Sequence, residues 1–112
     1  MERMSLRLVF VTCPSAVVAA NLAKTLVEER LAACGNIVPG LRSIYRWQGK
    51  IEDETECLLL LKTTADGFAA LEQRVRALHP YEVPEILGVA VDGALPAYVQ
   101  WVADSLRPPR DL

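Results

Sequence analysis

The sequence predicts a single α+β domain built on a four-stranded antiparallel sheet with helices packed on one face. The apolar residues follow the order strand, helix, strand, strand, helix, strand, helix along the 112 residues. The first six elements form a split β-α-β unit twice, which is the ferredoxin-like pattern, and right-handed crossovers place both helices on the same face. We expect one domain over residues 1–112, with a structured core at about 6–106 and an extra C-terminal helix.

The first unit starts with a β-rich run from Leu6 to Thr12, which Pro14 ends. Ser15 is suited to cap the following helix. That helix carries an apolar stripe at spacings of three and four residues, namely Val18, Ala19, Leu22, Ala23, Leu26 and Val27. We expect it to fade near Cys34, with Gly35 in the left-handed position that follows many helices.

A long hairpin is predicted next. Its strands run from Asn36 to Trp47, with a bulge or bend at Pro39-Gly40, and from Lys50 to Thr63, joined by a tight turn at Gln48-Gly49. At ~3.3 Å per residue, twelve residues extend about 40 Å, whereas a compact domain of this length has a radius of gyration near ~13 Å. The arm should therefore overhang its own core. Its apolar side chains are predicted to pack on another subunit, the alternative being a hairpin curled over its own domain; they are Ile44, Tyr45, Trp47 and Ile51.

The second unit repeats the pattern. A helix is predicted from a buried stripe of Phe68, Leu71, Val75 and Leu78, and a strand follows over Ile86 to Val91. The last helix spans roughly Ala94 to Leu106, with Pro96 in its first turn.

Composition excludes several classes of function. The net charge is −2 with interleaved signs, so we expect no nucleic-acid partner. No stretch approaches the ~18 apolar residues of a membrane span, and the N-terminus does not resemble a signal peptide. The 3 cysteines are widely spaced and in apolar contexts, which argues against disulfides. A cytoplasmic protein is therefore expected. No catalytic motif is visible, so an enzyme is not expected.

The segment from His79 to Glu85 concentrates the titratable groups. Its two prolines keep it from being helix or central strand. His79 is either a ligand or a cap for the preceding helix, after a buried Leu78. Glu85 opens a buried strand and needs a partner, for which Lys62 is the best candidate. A solvent-edge position is expected for Tyr81 and surface positions for Glu82 and for the row of Glu52, Glu54 and Glu56.

Four separated motifs resemble the CutA family, called divalent-cation tolerance proteins. They lie at residues 31–40 (LAACGNIVPG), 43–50 (SIYRWQGK), 61–63 (LKT) and 79–85 (HPYEVPE). The resemblance implies a tight trimer with hairpins exchanged between neighbours, related in architecture to the PII signalling proteins. It also implies copper binding, attributed in bacterial relatives to a first-strand cysteine and two adjacent histidines. Here Val11 and Leu78 occupy two of those positions, so His79 and the nearby Cys13 are the metal ligands predicted.

Three functions are therefore open. The leading hypothesis is a trimer that binds copper(II) or another divalent metal in response to metal stress. The second is a PII-like module that holds a nucleotide or small anion with Lys62 and Arg46, and the third is a passive trimeric scaffold. In the first two, a cleft between subunits carries the site, lined by Lys62, Tyr81, Glu82, Glu85 and Cys34.

Overall fold

The computed structural model describes residues 5–108 and contains every predicted element. These are β1 (Leu6–Cys13), α1 (Ala16–Glu28), β2 (Cys34–Trp47), β3 (Lys50–Thr64), α2 (Phe68–Leu78), β4 (Ile86–Ala90) and α3 (Pro96–Ser105). The sheet has the order β2-β3-β1-β4, with all neighbours antiparallel. The two β-α-β units are thus interleaved, and the predicted fold is confirmed. Within the described residues no helix is long and apolar enough to cross a bilayer.

The main core lies between the sheet and helices α1 and α2. Alternate residues of a strand point to opposite faces, so the odd-numbered residues of β1 and β3 face the helices. These strand residues pack against one buried stripe of side chains from each helix. The fully buried side chains include Val9 and Val11 of β1, Leu59 and Leu61 of β3, Leu26 of α1, and Leu71 and Val75 of α2. This packed layer fixes the positions of β1 and β3, which both contribute residues to the site described below.

The opposite face of the sheet is largely apolar as well, and α3 packs across only one end of it. There Val102 is buried with Leu6 and Ala33. The remainder of the face has no covering layer within residues 5–108, and it carries Leu8, Phe10, Val38, Leu58, Leu60, Leu87 and Val89. Leu87 is 56% exposed, although its neighbour Gly88 packs against the ring of Phe68 on the helix side. We call this surface the open sheet face.

The end of α1 differs from the prediction. The helix stops at Glu28, and Arg30 rather than Gly35 takes the left-handed conformation, with a φ of 59°. Gly35 instead lies inside β2, where a Cβ atom would stand 3.0 Å from the Cβ of Ala23. The glycine is therefore needed for close packing of the strand against α1 and not for a helix cap.

The hairpin of β2 and β3 is extended, as predicted. Both turn residues have positive φ, 50° for Gln48 and 81° for Gly49, as a tight two-residue turn requires. The register shifts between Val38 and Leu41, which is the predicted bulge at Pro39-Gly40. The domain measures 45 × 27 × 24 Å. Ile44 and Ile51 stay 66% and 62% exposed, so the hairpin does not curl back over its own core. Its packing on another subunit remains a prediction.

Candidate functional site

The segment after α2 is held by His79, which is buried. The core positions of α2 recur every four residues at Leu71 and Val75, and the next falls on His79 instead of Leu78. Leu78 is consequently exposed, against our prediction. His79 leaves the helix with extended backbone, φ −73° and ψ 139°, as expected of a residue before proline.

Both ring nitrogens of His79 form hydrogen bonds. The backbone N–H of Tyr81 donates to Nδ1 at 3.1 Å, and Nε2 lies 2.8 Å from the carbonyl oxygen of Thr12. Since a backbone N–H can only donate, Nδ1 is the acceptor and Nε2 carries the proton that is donated to Thr12. The imidazole is neutral in this arrangement and ties the segment to the end of β1.

Tyr81 reaches across to β3, where its hydroxyl donates a 2.6 Å hydrogen bond to Oε2 of Glu56. Glu56 is only 6% exposed. The prediction of a solvated glutamate row is therefore wrong for Glu56, whereas Tyr81 is half-buried, as expected of a tyrosine at the solvent edge. The segment from His79 to Glu85 folds over β3 at Glu56, a tertiary contact that strand alternation does not reveal.

Glu56 has no cationic partner within residues 5–108. The described ion pairs are Arg42–Asp53 and Arg74–Glu29. Tyr81 is the sole described donor to Glu56, and it uses Oε2. Because no buried side-chain oxygen in the described chain lacks a partner, Oε1 must retain contact with the surface. Glu56 is thus a nearly buried carboxylate with one oxygen open.

Glu56 lines a groove of about 660 Å³ that extends along the hairpin towards Trp47, the last residue before the turn. Three residues predicted to line the cleft between subunits lie in this groove, namely Tyr81, Glu82 and Glu85. Three residues predicted for the trimer interface lie in it as well, namely Ile44, Tyr45 and Trp47 of the same chain. Its lining consists of Thr12, Ser43, Ile44, Tyr45, Trp47, Glu56, Pro80, Tyr81, Glu82, Val83 and Glu85. We refer to it as the Glu56 groove.

Two predicted cleft residues lie elsewhere. Lys62 donates to the side-chain oxygen of Asn36, and the Sγ atom of Cys34 lies 3.6 Å from the hydroxyl of Tyr98. Both belong to the end of the sheet that α3 covers. Glu85 is exposed and forms no ion pair with Lys62, so the predicted buried pair is wrong. An exposed carboxylate needs no such partner, because water solvates it.

The electrostatic character of the groove is acidic. Its lining contains three carboxylates, Glu56, Glu82 and Glu85, and no lysine or arginine. Burial and the hydrogen bond to Glu56 raise the pKa of Tyr81 well above its ordinary value. Burial, followed by repulsion from Glu54, Glu56 and Glu52, also raises the pKa of Tyr45. The groove therefore favours cations over anions.

Sequence reasoning missed the role of Glu56. One signal was available, because Glu56 directly precedes the apolar run from Cys57 to Leu61 and so stands where the strand enters the core. A carboxylate at such a boundary needs a hydrogen-bond donor or a cation.

The two predicted metal ligands, His79 and Cys13, are not free to bind an ion in this arrangement. Both ring nitrogens of His79 form hydrogen bonds, and Cys13 is buried. Burial raises the pKa of the Cys13 thiol to about 11, with smaller contributions from Cys57 and Glu56, so the group is a thiol at neutral pH. His79 would have to give up one of its hydrogen bonds to offer a lone pair. No cluster of three or more acidic, histidine or cysteine side chains with metal-binding geometry occurs within residues 5–108. Metal binding at His79 and Cys13 stays a prediction.

Sequence comparison gives long matches. The model of a protein family described as "CutA1 divalent ion tolerance protein" matches residues 7–105. The divalent-cation tolerance protein CutA of Thermus thermophilus is 54% identical over 97 residues, which cover 87% of this chain and 94% of that protein. Human protein CutA is 47% identical over 93 residues, or 83% of this chain, and the match spans 52% of its length.

Solved structures agree with these matches. The divalent cation tolerance protein from T. thermophilus superposes with a TM-score of 0.88 and 51% identity, covering 91% of this chain and 99% of that one. CutA1 from Oryza sativa gives a TM-score of 0.90 at 37% identity, covering 96% and 98%. The residues matched by the family model include every residue that lines the Glu56 groove.

Proposed function

The chain belongs to the CutA1 divalent ion tolerance family, and on that premise we propose that it is a non-catalytic homotrimer that binds a divalent cation in the Glu56 groove. The observation that carries the proposal is Glu56 itself. Removing a carboxylate from water costs several kcal/mol, and the single hydrogen bond from Tyr81 offsets only part of that cost. A cation at Oε1 would supply the missing partner.

The ligands we propose are carboxylate oxygens. Glu56 offers Oε1, and the exposed Glu82 and Glu85 line the same groove. Oxygen donors accept a range of divalent ions, of which copper(II) binds most tightly in the usual order of affinities. Because one chain provides no three-ligand cluster within residues 5–108, water or a neighbouring subunit would complete the coordination. His79 then serves to position Tyr81 rather than to bind the ion.

The trimer is supported by two apolar surfaces. The open sheet face carries seven apolar side chains without a covering layer in the described chain, and a sheet face of that kind normally packs on a second layer. The hairpin adds Ile44 and Ile51, which remain 66% and 62% exposed. Exposed apolar patches of this extent mark protein–protein interfaces.

The anionic-ligand alternative has less support. It requires Lys62, which donates to Asn36 outside the groove, while the groove lining has no lysine or arginine. The scaffold alternative requires only that the chain form a trimer, and it assigns no role to Glu56.

Native mass spectrometry during titration with copper(II), zinc(II) and a nucleotide panel tests the proposal. A trimer that takes up three cations, and takes up none when Glu56→Gln replaces the carboxylate with an isosteric amide, supports it. The matched control is Glu72→Gln, an exposed carboxylate on α2. If metal uptake persists in Glu56→Gln but is lost in Cys13→Ala, the metal binds at His79 and Cys13, the ligands predicted from the sequence, and not at Glu56. Nucleotide binding would favour the PII-like alternative, and a trimer that binds neither would favour the scaffold.

A further inference from the structure

We infer that Cys13 and Cys57 form a buried two-thiol site that binds a soft monovalent metal ion, copper(I). Both ligands belong to one chain and lie on the helix side of the sheet. Neither lines the Glu56 groove, so the site depends on no neighbouring subunit and shares no ligand with the proposed divalent-cation site.

The two cysteines stand directly opposite each other in the sheet. Cys13 is the last residue of β1, and its partner in the register with β3 is Cys57. Residues paired in this way carry their side chains on the same face of an antiparallel sheet. Both thiols belong to the main core, where Cys13 is fully buried and Cys57 is 5% exposed, and neither is part of a disulfide. Two free thiols therefore lie side by side in one apolar layer.

The strand pairing sets the distance between these side chains. One step beyond the first pair of β1 and β3, the N–H of Ala65 donates to the carbonyl oxygen of Ser5 at 2.8 Å. Hydrogen-bonded and non-hydrogen-bonded pairs alternate along an antiparallel ladder, so Cys13 and Cys57, an even number of pairs further on, form a hydrogen-bonded pair. Such pairs have Cα atoms about 5.5 Å apart and Cβ atoms near the wide end of a range of roughly 4.5–5.5 Å.

This spacing suits a bridging ion better than a disulfide. A disulfide needs Cβ atoms about 3.5–4.5 Å apart, so it would draw the two strands together. A metal ion between two sulfurs, each at the ~2.3 Å of a zinc–thiolate bond, holds the sulfurs about 4.6 Å apart. Side chains at the spacing of this pair can adopt that separation without moving the strands.

The number and type of ligands select the ion. Thiolates prefer soft ions, copper(I) and zinc(II) among them. Zinc(II) in structural sites takes four ligands, and residues 5–108 contain no cluster of even three acidic, histidine or cysteine side chains suited to a metal. Copper(I) is satisfied by two thiolates in a linear arrangement. One ion binds both sulfurs while the two thiol protons leave to solvent, and the copper stays in the +1 state throughout.

The two thiols are close enough to interact. Burial raises the pKa of the Cys13 thiol to about 11, and repulsion from Cys57 is the next cause, followed by Glu56. Copper(I) must displace this tightly held proton, and its strong preference for thiolate sulfur offsets that cost.

An entry path exists at this end of the sheet. Cys13 and Cys57 are the last pair between β1 and β3, and the pairing of β1 with β4 has already ended at Val11 and Ile86. Cys57 also lies opposite the bulge at Pro39-Gly40, where the register with β2 is interrupted. Ladder ends and interruptions open more readily than the interior of a sheet, so a copper(I) ion can reach the buried sulfurs by local opening.

Titration of the full chain under anaerobic conditions with copper(I), supplied as its bicinchoninate complex, tests the inference. Native mass spectrometry should find one copper(I) per chain and the loss of two protons for each ion. X-ray absorption at the copper edge of the wild-type protein should show two sulfur neighbours, a measurement that needs no variant. Failure of the chain to take copper(I), or a coordination shell of nitrogen and oxygen, would overturn the inference.

Substitution of either cysteine identifies the ligands. Cys13→Ala and Cys57→Ala should each weaken copper(I) binding more than about 100-fold, because even partners outside the ligand shell contribute about 10–100-fold at metal sites. Cys34→Ala is the matched control, because this thiol lies beside Tyr98 and away from the pair, and it should leave the affinity unchanged. Wild-type affinity in Cys57→Ala, or an equal loss in Cys34→Ala, would contradict the assignment.

Glu56→Gln separates this site from the proposed divalent-cation site. The substitution should abolish zinc(II) uptake and leave copper(I) binding intact, whereas Cys57→Ala should have the opposite effect. If Glu56→Gln abolishes the binding of both ions, copper(I) depends on the groove and the two-thiol site is refuted. If zinc(II) never binds while copper(I) does so through both cysteines, only the divalent-cation proposal fails.

Discussion

The hydroxyl of Tyr81 lies 2.6 Å from Oε2 of Glu56, and this hydrogen bond joins the segment after α2 to the middle of β3. It is the only bond that a described residue donates to a carboxylate that is 6% exposed. Hydrogen bonds to charged groups are stronger than those between neutral groups, so this contact should contribute measurably to stability.

Tyr81→Phe removes the donor and leaves Oε2 of Glu56 without a partner in the described chain. We expect a loss of about 1–3 kcal/mol in the free energy of unfolding, measured by denaturant titration at neutral pH. Tyr45→Phe is the matched control, because Tyr45 lines the same groove but its hydroxyl forms no hydrogen bond with the described residues. Equal effects of the two substitutions would contradict this assignment.

Stability should fall at alkaline pH. Burial raises the pKa of the Cys13 thiol from 9.0 to about 11, so the folded state holds this proton more tightly than the unfolded chain does. The resulting stabilisation is fully present below pH 9 and is lost as the pH rises to about 11. Denaturant titrations across this range measure it. Cys13→Ala should flatten the decline, although not abolish it, because the pKa values of Tyr81 and Tyr45 are raised as well. An unaltered slope in Cys13→Ala would refute the role of the thiol.

The proposed trimer predicts that Leu87→Glu dissociates the assembly. The substitution places a charge on the open sheet face, on its edge strand β4, where burial against another subunit would desolvate it. Sedimentation velocity should show a shift from trimer to monomer. Val17→Glu is the control, because Val17 is comparably exposed but lies on α1, on the other side of the sheet. A trimeric Leu87→Glu variant would exclude this face as the interface.

Gly88→Ala should destabilise the fold. A Cβ atom at this position would lie 2.6 Å from Cε1 of Phe68, so the ring or the strand would have to move. We expect a cost of about 1–3 kcal/mol, as for other overpacked cores, in the unfolding free energy measured with denaturant. Gly93→Ala is the matched control, since no atom lies within 4 Å of the corresponding Cβ and the residue has no positive φ. If Gly88→Ala and Gly93→Ala are equally stable, the Phe68 ring can move aside without a loss of unfolding free energy.

The fold could be predicted from the sequence because each element carries its own local signal. The turn at Gln48-Gly49 and the bulge at Pro39-Gly40 are each signalled by a glycine, and Gly49 and Gly40 take the positive φ values that glycine adopts readily, 81° and 79°. The end of α1 could not be predicted this way. Arg30 takes a conformation that usually favours glycine, while Gly35 serves a packing contact with Ala23 that only the folded chain creates.

The site was predicted in part. The segment from His79 to Glu85 can be identified from the sequence, because its prolines and titratable groups are visible there. The partners of its residues cannot, since Glu56 and Thr12 come from strands far away along the chain. The pairing of Lys62 with Glu85 is a wrong prediction, because the actual partner of Lys62, Asn36, is determined by the register of the hairpin.

The strand order has a consequence for biosynthesis. β1 is synthesised before both of its neighbours in the sheet, β3 and β4, and the whole of α1 and β2 lies between them in the sequence. Val11, for example, pairs with Leu59 on one side and with Ile86 on the other. The apolar residues of β1 therefore remain unpaired until β3 and β4 have been synthesised. Contacts between residues so distant in sequence form slowly. Until β4 has been synthesised, the unpaired edge and apolar side chains of β1 expose a nascent chain of this topology to aggregation.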